Sequence, residues 1–301
     1  MVVSLVLLSS ARINRVKSAE HNGLRPIRIT LVTLNLYIET TVKIMRLLFL
    51  GDVVGEGGCD FLKKRLPDFK RKNNIDVCIA NGENSAQGNG VTQKSINDVF
   101  DSGVDMITLG NHTYKRFEIM DYLEDAVNVV RPYNYPKGAP GVGVGILDKG
   151  RYRIAVINML GTVYSEPLGN PFNQMDEALK EIDGCKTVIV DFHAEATAEK
   201  RAMGFYLDGK VTAVLGTHTH VQTADEQILP NGTAYITDVG MVGPLQSVLG
   251  IDPQLTIKKF KTNLPVRFQN ATGEYSMDGC IIEIDEKSGR ASSIERVNIR
   301  G

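Results

Sequence analysis

Neither sign of charge is in excess in this chain: 34 Lys and Arg stand against 35 Asp and Glu, for a net charge of -1. A general polyanion-binding surface is therefore excluded, and bulk nucleic acid is not an expected partner, although a nucleotide substrate is compatible with this balance. Cysteine is scarce. Cys59, Cys78, Cys185 and Cys280 form no C-x-x-C pair, which argues against a zinc finger and against a disulfide framework. Reduced thiols in a cytoplasmic protein are the expectation. No apolar run is long enough to span a bilayer. Internal repeats and low-complexity segments are missing too. What is present is 43% hydrophobic residues in a chain of 301, enough to bury a full core in one large domain or two small ones.

Histidine is the informative scarcity. Of 5 histidines, His21 lies near the N-terminus and the other four follow strand-like runs. Asp105 to Leu109 precedes Gly-Asn-His112, Thr187 to Val190 precedes Asp-Phe-His193, and Val211 to Leu215 precedes Gly-Thr-His218-Thr-His220. Strand exits line the active-site edge of open sheets and sandwiches. In extended backbone, residues i and i+2 project to the same side, so His218 and His220 are expected to reach one point, as metal ligands would. The alternative is two polar loop histidines with no shared task.

Residues 1 to 44 do not match the rest of the chain. Met1 to Leu8 is a short apolar run without a preceding basic segment, and Ser9-Ser10-Ala11 makes at most a weak signal-peptide pattern. The expectation is a natural start at Met45, a spurious or disordered extension over 1-44, and a single domain over 45-301. Met45 to Leu50 reads as the first strand. It ends at Asp52, where a carboxylate is costly unless paired or bound to metal; an N-cap for a helix starting near Gly58 is the alternative. Ile75 to Ala80 reads as the next strand and delivers Glu83 and Asn84. Helices are expected around Thr92 to Ser102, Glu118 to Asp125, Gln174 to Ile182 and Thr197 to Met203, with a strand from Tyr152 to Met159. Proline and glycine mark loops over Arg131 to Gly145 and over Gly161 to Pro171, the second a candidate lid. The end of the chain reads as β: Ala234 to Gly240, Val266 to Phe268, Gly279 to Ile284 and Ser292 to Ile299.

Successive strand exits thus supply Asp52, Glu83 with Asn84, Asn111 with His112, His193, and His218 with His220. One ion needs about four ligands. The set is large enough for two ions about 3.5 Å apart, bridged by a carboxylate and a hydroxide. Mixed nitrogen and oxygen donors without thiolate suit iron, manganese or zinc.

The order G-D, G-E-N, G-N-H, H, G-T-H-T-H resembles the calcineurin-like metallophosphoesterase superfamily, and more closely its YmdB-type bacterial branch. The resemblance runs from Met45 to near the end of the chain. Its longer segments are Gly110-Asn-His-Thr, Asp191-Phe-His-Ala-Glu-Ala-Thr, Gly216-Thr-His-Thr-His-Val-Gln-Thr-Ala-Asp and Ala234-Tyr-Ile-Thr-Asp-Val-Gly-Met. The superfamily's D-x-H is here Asp52-Val53-Val54, and its G-D-x-x-D is Gly82-Glu83-Asn84, departures that the YmdB-type branch shares. Relatives often carry Trp-Asp where this chain has Tyr114-Lys115.

The resemblance implies an α/β fold, a four-layer sandwich of two mixed β-sheets flanked by helices. It implies one metal on Asp52, Glu83, Asn84 and His220, a second on Glu83, Asn111, His193 and His218, and His112 as general acid. The metals would be iron, with manganese as the alternative, and the protein cytoplasmic and compatible with a homo-oligomer. The implied activity is hydrolysis of a cyclic nucleotide such as 2′,3′-cyclic AMP, or of an RNA-derived phosphodiester. Arg131 to Asn134 and the loop Gly161 to Pro171 are candidates for substrate binding. Two rivals stay open: a phosphomonoesterase or phosphoprotein phosphatase on the same site, and a metal-loaded regulatory protein responsive to nucleotide or RNA. Since Met45 opens directly into the strand that carries Asp52, protein truncated to start at Met45 should fold and hydrolyse substrate like the full chain. A large loss of melting temperature or activity on truncation would show that the upstream segment is structural.

Overall fold

The computed structural model describes residues 43–301; the extension expected over 1-44 falls, up to residue 42, outside the described residues. In chain order the elements are β1 (Ile44–Leu50), β2 (Asp52–Val53), α1 (Gly55–Lys72), β3 (Val77–Asn81), α2 (Gln93–Asp101), β4 (Met106–Thr108), α3 (Ile119–Asp125), β5 (Val129–Val130), β6 (Val144–Asp148) and β7 (Arg153–Leu160). They continue with α4 (Pro171–Ala178), β8 (Thr187–His193), α5 (Thr197–Leu207), β9 (Ala213–Thr217), β10 (Gln227–Ile228), β11 (Ala234–Ile236), β12 (Met241–Pro244), α6 (Pro253–Thr262), β13 (Tyr275–Asp285) and β14 (Ala291–Arg300). No helix among the described residues is long and apolar enough to cross a membrane.

Two mixed sheets form. In one the order is β2-β12-β13-β1-β3-β4-β5, with β14 on β13; in the other it is β10-β11-β9-β8-β7-β6. β1, β3, β4 and β5 run parallel, as do β7, β8, β9 and β11. The period-2 alternation of a strand explains the layering. Leu48 and Leu50 of β1 pack with Leu62 and Leu66 of α1 and Ile96 and Val99 of α2. Met45, Leu47 and Phe49 point the other way, onto Ile154, Val156, Ile189 and Leu215 of the second sheet. The far face of that sheet packs Ile157, Val190 and Val214 on Met175 of α4 and on Met203 and Leu207 of α5. Helix, sheet, sheet, helix: this is the expected four-layer sandwich.

Local signals set the helix ends. Thr92 caps α2 in a reciprocal box with Ser95. Asn170 and Asp252 cap α4 and α6, each followed by a proline in the first turn. Sequence reading starts α1 near Gly58, but Gly55 takes φ +63° and donates its N–H to the Asn84 carbonyl at 2.8 Å, so the helix begins there. Sequence reading does not anticipate α6, although Asp252-Pro253 is a start signal. The strand expected at Val266–Phe268 does not form; that stretch joins no ladder and Arg267 and Phe268 are exposed. Extended residues become a strand only where a neighbour offers its backbone groups.

The second sheet tolerates no side chain at Gly216 of β9. A Cβ there would lie 1.7 Å from the Thr237 carbonyl oxygen, and backbone cannot yield as a side chain can. Gly216→Ala should therefore destabilise by about 1–3 kcal/mol or more. Gly138→Ala, whose Cβ would meet nothing within 4 Å, should stay within about 0.5 kcal/mol of the natural protein. Urea unfolding of both variants checks this; equal midpoints would refute the packing argument.

Candidate metal centre

Parallel strands deliver their C-terminal ends to one edge of the sandwich. Asp52 follows β1, Glu83 and Asn84 follow β3, and Asn111 and His112 follow β4. From the other sheet, His193 ends β8, and His218 and His220 follow β9. Asp52 and Glu83 are fully buried, and Asn84 and His193 nearly so. Glu83 sits at the centre. Its Oε1 lies 2.9 Å from His112 Nδ1, 3.4 Å from His193 Nε2 and 2.8 Å from Asn84 Nδ2. Its Oε2 accepts the His112 backbone N–H at 2.9 Å. Asp52 lies beside it, 3.4 Å from His220 Nε2, and accepts the His218 backbone N–H at 3.1 Å. Asn111 Oδ1 is 3.0 Å from His193 Nε2, so Asn111 and His112 face different partners. Gly110 makes room for all of this. A Cβ there would sit 2.2 Å from Glu83 Oε2 and 2.5 Å from His193 Nε2.

The outward nitrogens of three rings are tied down. His193 Nδ1 pairs with Thr217 Oγ1 at 2.9 Å, and that hydroxyl donates onward to Asp191 Oδ1 at 2.6 Å. A hydroxyl has one proton, so Thr217 must accept from Nδ1–H, and the neutral ring then carries its lone pair on Nε2. His218 Nε2 faces Glu195 Oε2 at 3.2 Å, and His220 Nδ1 faces the Leu249 carbonyl at 3.2 Å. Both acceptors demand N–H, which leaves His218 Nδ1 and His220 Nε2 as inward lone pairs. His218 Nδ1 and His193 Nε2 stand 3.0 Å apart beside Glu83. Two lone pairs facing each other across a buried carboxylate need a cation between them, and orientation by outer acceptors is how histidine metal ligands are held. Glu83, His193 and His218 offer donor atoms within 4.8 Å of one another. The residues fit a metal ion.

Sequence and geometry agree on which residues meet, less so on how. His218 and His220 are not in extended backbone; their φ values are +96° and +61°. His218 consequently reaches His193 while His220 reaches Asp52, so the pair serves two ends of the cluster and not one point. A buried ion pair holds this strained loop. Asp238 Oδ2 accepts from the Thr219 N–H and hydroxyl at 3.0 and 2.8 Å and from Lys200 Nζ at 2.7 Å, while Lys200 also donates to the Thr217 carbonyl at 2.7 Å. Neither expected substrate loop supplies a lining residue to the cavity bordered by Glu83, Asn84, His112, His218 and His220, although Gly161 donates its N–H to the His193 carbonyl at 3.0 Å. Arg131 donates to the carbonyls of Pro132 and Tyr133, and buried Asn134 spans to those of Leu160 and Gly169. Arg131 thus braces its own loop, and Asn134 ties that loop to the end of β7 and to the candidate lid. Thr162 and Val163 of the candidate lid are anchored on Glu199. Tyr114 donates to the Pro140 carbonyl. Sequence reading misses Glu195, Thr217, Asp191 and the Leu249 carbonyl; only the H-A-E-A-T run around Glu195 hints at one of them.

Residues 48–297 match the family model described as YmdB-like protein. Over 256 residues, 85% of this chain and 97% of the relative, the chain is 49% identical to a Bacillus subtilis 2′,3′-cyclic-nucleotide 2′-phosphodiesterase. The chain belongs to the YmdB-like family. A Mycoplasma pneumoniae phosphatase structure superimposes with TM-score 0.81 at 34% identity, covering 86% of this chain and 94% of that one. A hypothetical protein from Thermus thermophilus does so with TM-score 0.80 at 39% identity, covering 85% and 99%. The sandwich is thus the metallophosphoesterase fold.

In this YmdB-like centre burial and the neighbouring charges shift the titration of the carboxylates and the rings. Burial opposes charge on Glu83, yet His193 and His112 hold its carboxyl well below the usual range. Burial likewise opposes charge on Asp52, but His220 outweighs it and the carboxyl falls. His193 resists burial because of Glu83 and rises to about 9, and His220 rises through Asp52. Burial and the neighbouring His193 charge push His218 down to about 4. Raised histidines stabilise the fold fully below their unfolded value near 6.5, and that stability is lost as pH climbs through about 9. Lowered His218 acts below 6.5, outside that window. Chelated protein should therefore lose melting temperature between about pH 7 and about pH 9, whereas divalent metal, which replaces the protons, should flatten or reverse the decline. Equal declines with and without metal would show that these rings do not hold the ion.

Proposed function

We propose that this chain is a metal-dependent phosphodiesterase that opens nucleoside 2′,3′-cyclic phosphates. The observation that carries the reading is the set of three imidazoles whose inward lone pairs converge on two buried carboxylates. The activity of the B. subtilis relative supports the substrate class. Asp52, Glu83, Asn84 and His220 would hold one metal ion, and Glu83, Asn111, His193 and His218 a second. When bound, the ions, iron with manganese as the alternative, supply Lewis acidity toward phosphoryl oxygens and water of lowered pKa. Residues 45-301 act as one catalytic domain in this reading, supported by the family match over 48–297.

The chain's own residues handle the leaving group. In the reaction water adds to phosphorus, the bond to the ribose 2′ oxygen breaks, and that oxygen takes up a proton, leaving a 3′-phosphate. His112 is the proton donor. Its Nδ1 is held between Glu83 Oε1 and Asn84 Oδ1, each at 2.9 Å. The ring borders the cavity over the cluster and is a quarter exposed. Nε2 has no hydrogen-bond partner among the described residues, which leaves it available to substrate. The rival reading, a phosphomonoesterase, draws on the M. pneumoniae relative, a phosphatase.

His112→Ala separates proton donation from metal binding. Turnover of 2′,3′-cyclic AMP should fall by ~10²–10⁴-fold, with about two metals per chain retained. Bis(4-nitrophenyl) phosphate, whose phenolate leaves without a proton, should be affected far less. Equal loss on both substrates, or loss of metal together with rate, would return His112 to the ligand set. A natural protein that hydrolyses monoesters faster than either diester would favour the phosphatase reading.

A further inference from the structure

The cavity over the cluster has a volume of about 300 Å³ and two unlike sides. Its floor is polar: Glu83, Asn84, His112, His218 and His220. Its other side is largely apolar, built from Val54, Val248, Leu249, Ile251, Phe260 and Phe268, with Thr256 among them. All but Val54 come from the chain between β12 and β13, which includes α6. Phe260 is 82% exposed and Phe268 47%. Neither ring is spent on the core. Exposed aromatic rings beside a reactive site are unfavourable in water unless a ligand covers them.

The apolar wall is also tied in register with the centre. Leu249 takes φ +53°, a backbone that a leucine rarely adopts, and its side chain is 48% exposed. Its carbonyl accepts His220 Nδ1–H at 3.2 Å. Strain of this kind persists where the surroundings over-determine it, and clusters at ligand sites. The wall therefore stands at a fixed offset from the residues that would meet phosphate.

We propose that Phe260 and Phe268 form a nucleobase subsite, so that the base lies on the apolar wall while the cyclic phosphate lies on the floor. This rests on the phosphodiesterase reading. An aromatic wall meets the π-face that every base presents, while the polar side chains of the lining that could meet a base edge are Asn89, Glu195 and Thr256. Stacking is consequently tolerant of base identity, purines gaining most from their larger face. A free cyclic nucleotide carries such a base, and so does the last residue of an RNA strand ending in a cyclic phosphate.

The test compares 2′,3′-cyclic AMP, a dinucleotide ending in a 2′,3′-cyclic phosphate, and glycerol 1,2-cyclic phosphate, which has the ring diester and no base. Phe260→Ala and Phe268→Ala, alone and together, should raise KM for 2′,3′-cyclic AMP by about 5- to 150-fold and affect glycerol 1,2-cyclic phosphate far less. Phe260→Trp should restore KM, since it restores the stacking face. A rise on the dinucleotide as well extends the subsite to RNA ends; a rise on the mononucleotide alone confines it there. Losses of equal size on the base-free diester, or an unchanged KM in the double variant, overturn the subsite while the phosphodiesterase reading stands. Natural protein, metal-loaded and inactive on all three diesters, overturns that reading and the subsite with it.

Discussion

Two carboxylates, Asp52 and Glu83, are buried completely at the edge where the sheets open. Taking such charges out of water costs several kcal/mol per ion even after relaxation, and nothing in a sandwich of aliphatic strands offsets that. Positive charge must converge on them. Without metal, Glu83 and Asp52 raise the proton affinity of His193 and His220 against the effect of burial; with metal, the same rings would present lone pairs. Every other feature of the centre serves this requirement. Gly110 keeps its strand exit from filling the space. Asn81 and Thr108 hold Asp191, Asp191 orients Thr217, and Thr217 fixes the ring of His193.

Concentrating ligands has a conformational cost. His218 and His220 both sit at positive φ, which costs on the order of 1–3 kcal/mol per residue. Lys200 and Asp238, both essentially out of solvent, offset it. A buried ion pair alone is weak evidence of stability. This pair also satisfies the Thr217 carbonyl and the Thr219 N–H and hydroxyl, so its bonds run through the strained loop itself. Its role is geometric: its bonds on either side of His218 hold the backbone from Thr217 to Thr219 in place.

Much of this was legible in the sequence, for reasons that differ by level. The strands that carry ligands are fully buried runs, and burial on both faces writes itself as consecutive Val, Ile and Leu. The residues at their exits stand out because polar groups there are otherwise costly. α6 was not legible because its core-facing side is thin: Thr256 alone is buried, and Ile257 and Phe260 are exposed. A helix with so little to bury leaves no periodic stripe, and only Asp252-Pro253 marked it. Val266 to Phe268 has strand-forming residues but no neighbouring edge, and pairing is a property of the neighbour as much as of the segment. Ring tautomers lay beyond sequence altogether. They depend on Glu195, Thr217 and a Leu249 carbonyl, groups whose importance comes from where chain distant in sequence brings them.

The two sides of the cavity have different origins in the fold, and this bears on how such a centre can diverge. The floor is built at the ends of strands pinned on both faces, where an ångström of movement would break several ladders. Beyond β12, by contrast, the wall rests on a capped short helix and on chain joined by the single bridges of Ile251 to Val248 and Asn270, with the Leu249 carbonyl meeting His220. Substitutions in the wall disturb few buried contacts, since its aromatic rings are largely exposed. Substitutions in the floor disturb charge balance in a low-dielectric site. Reaction type is thereby tied to the rigid part of the molecule, and preference among substrates to the part that can change at little cost to the fold.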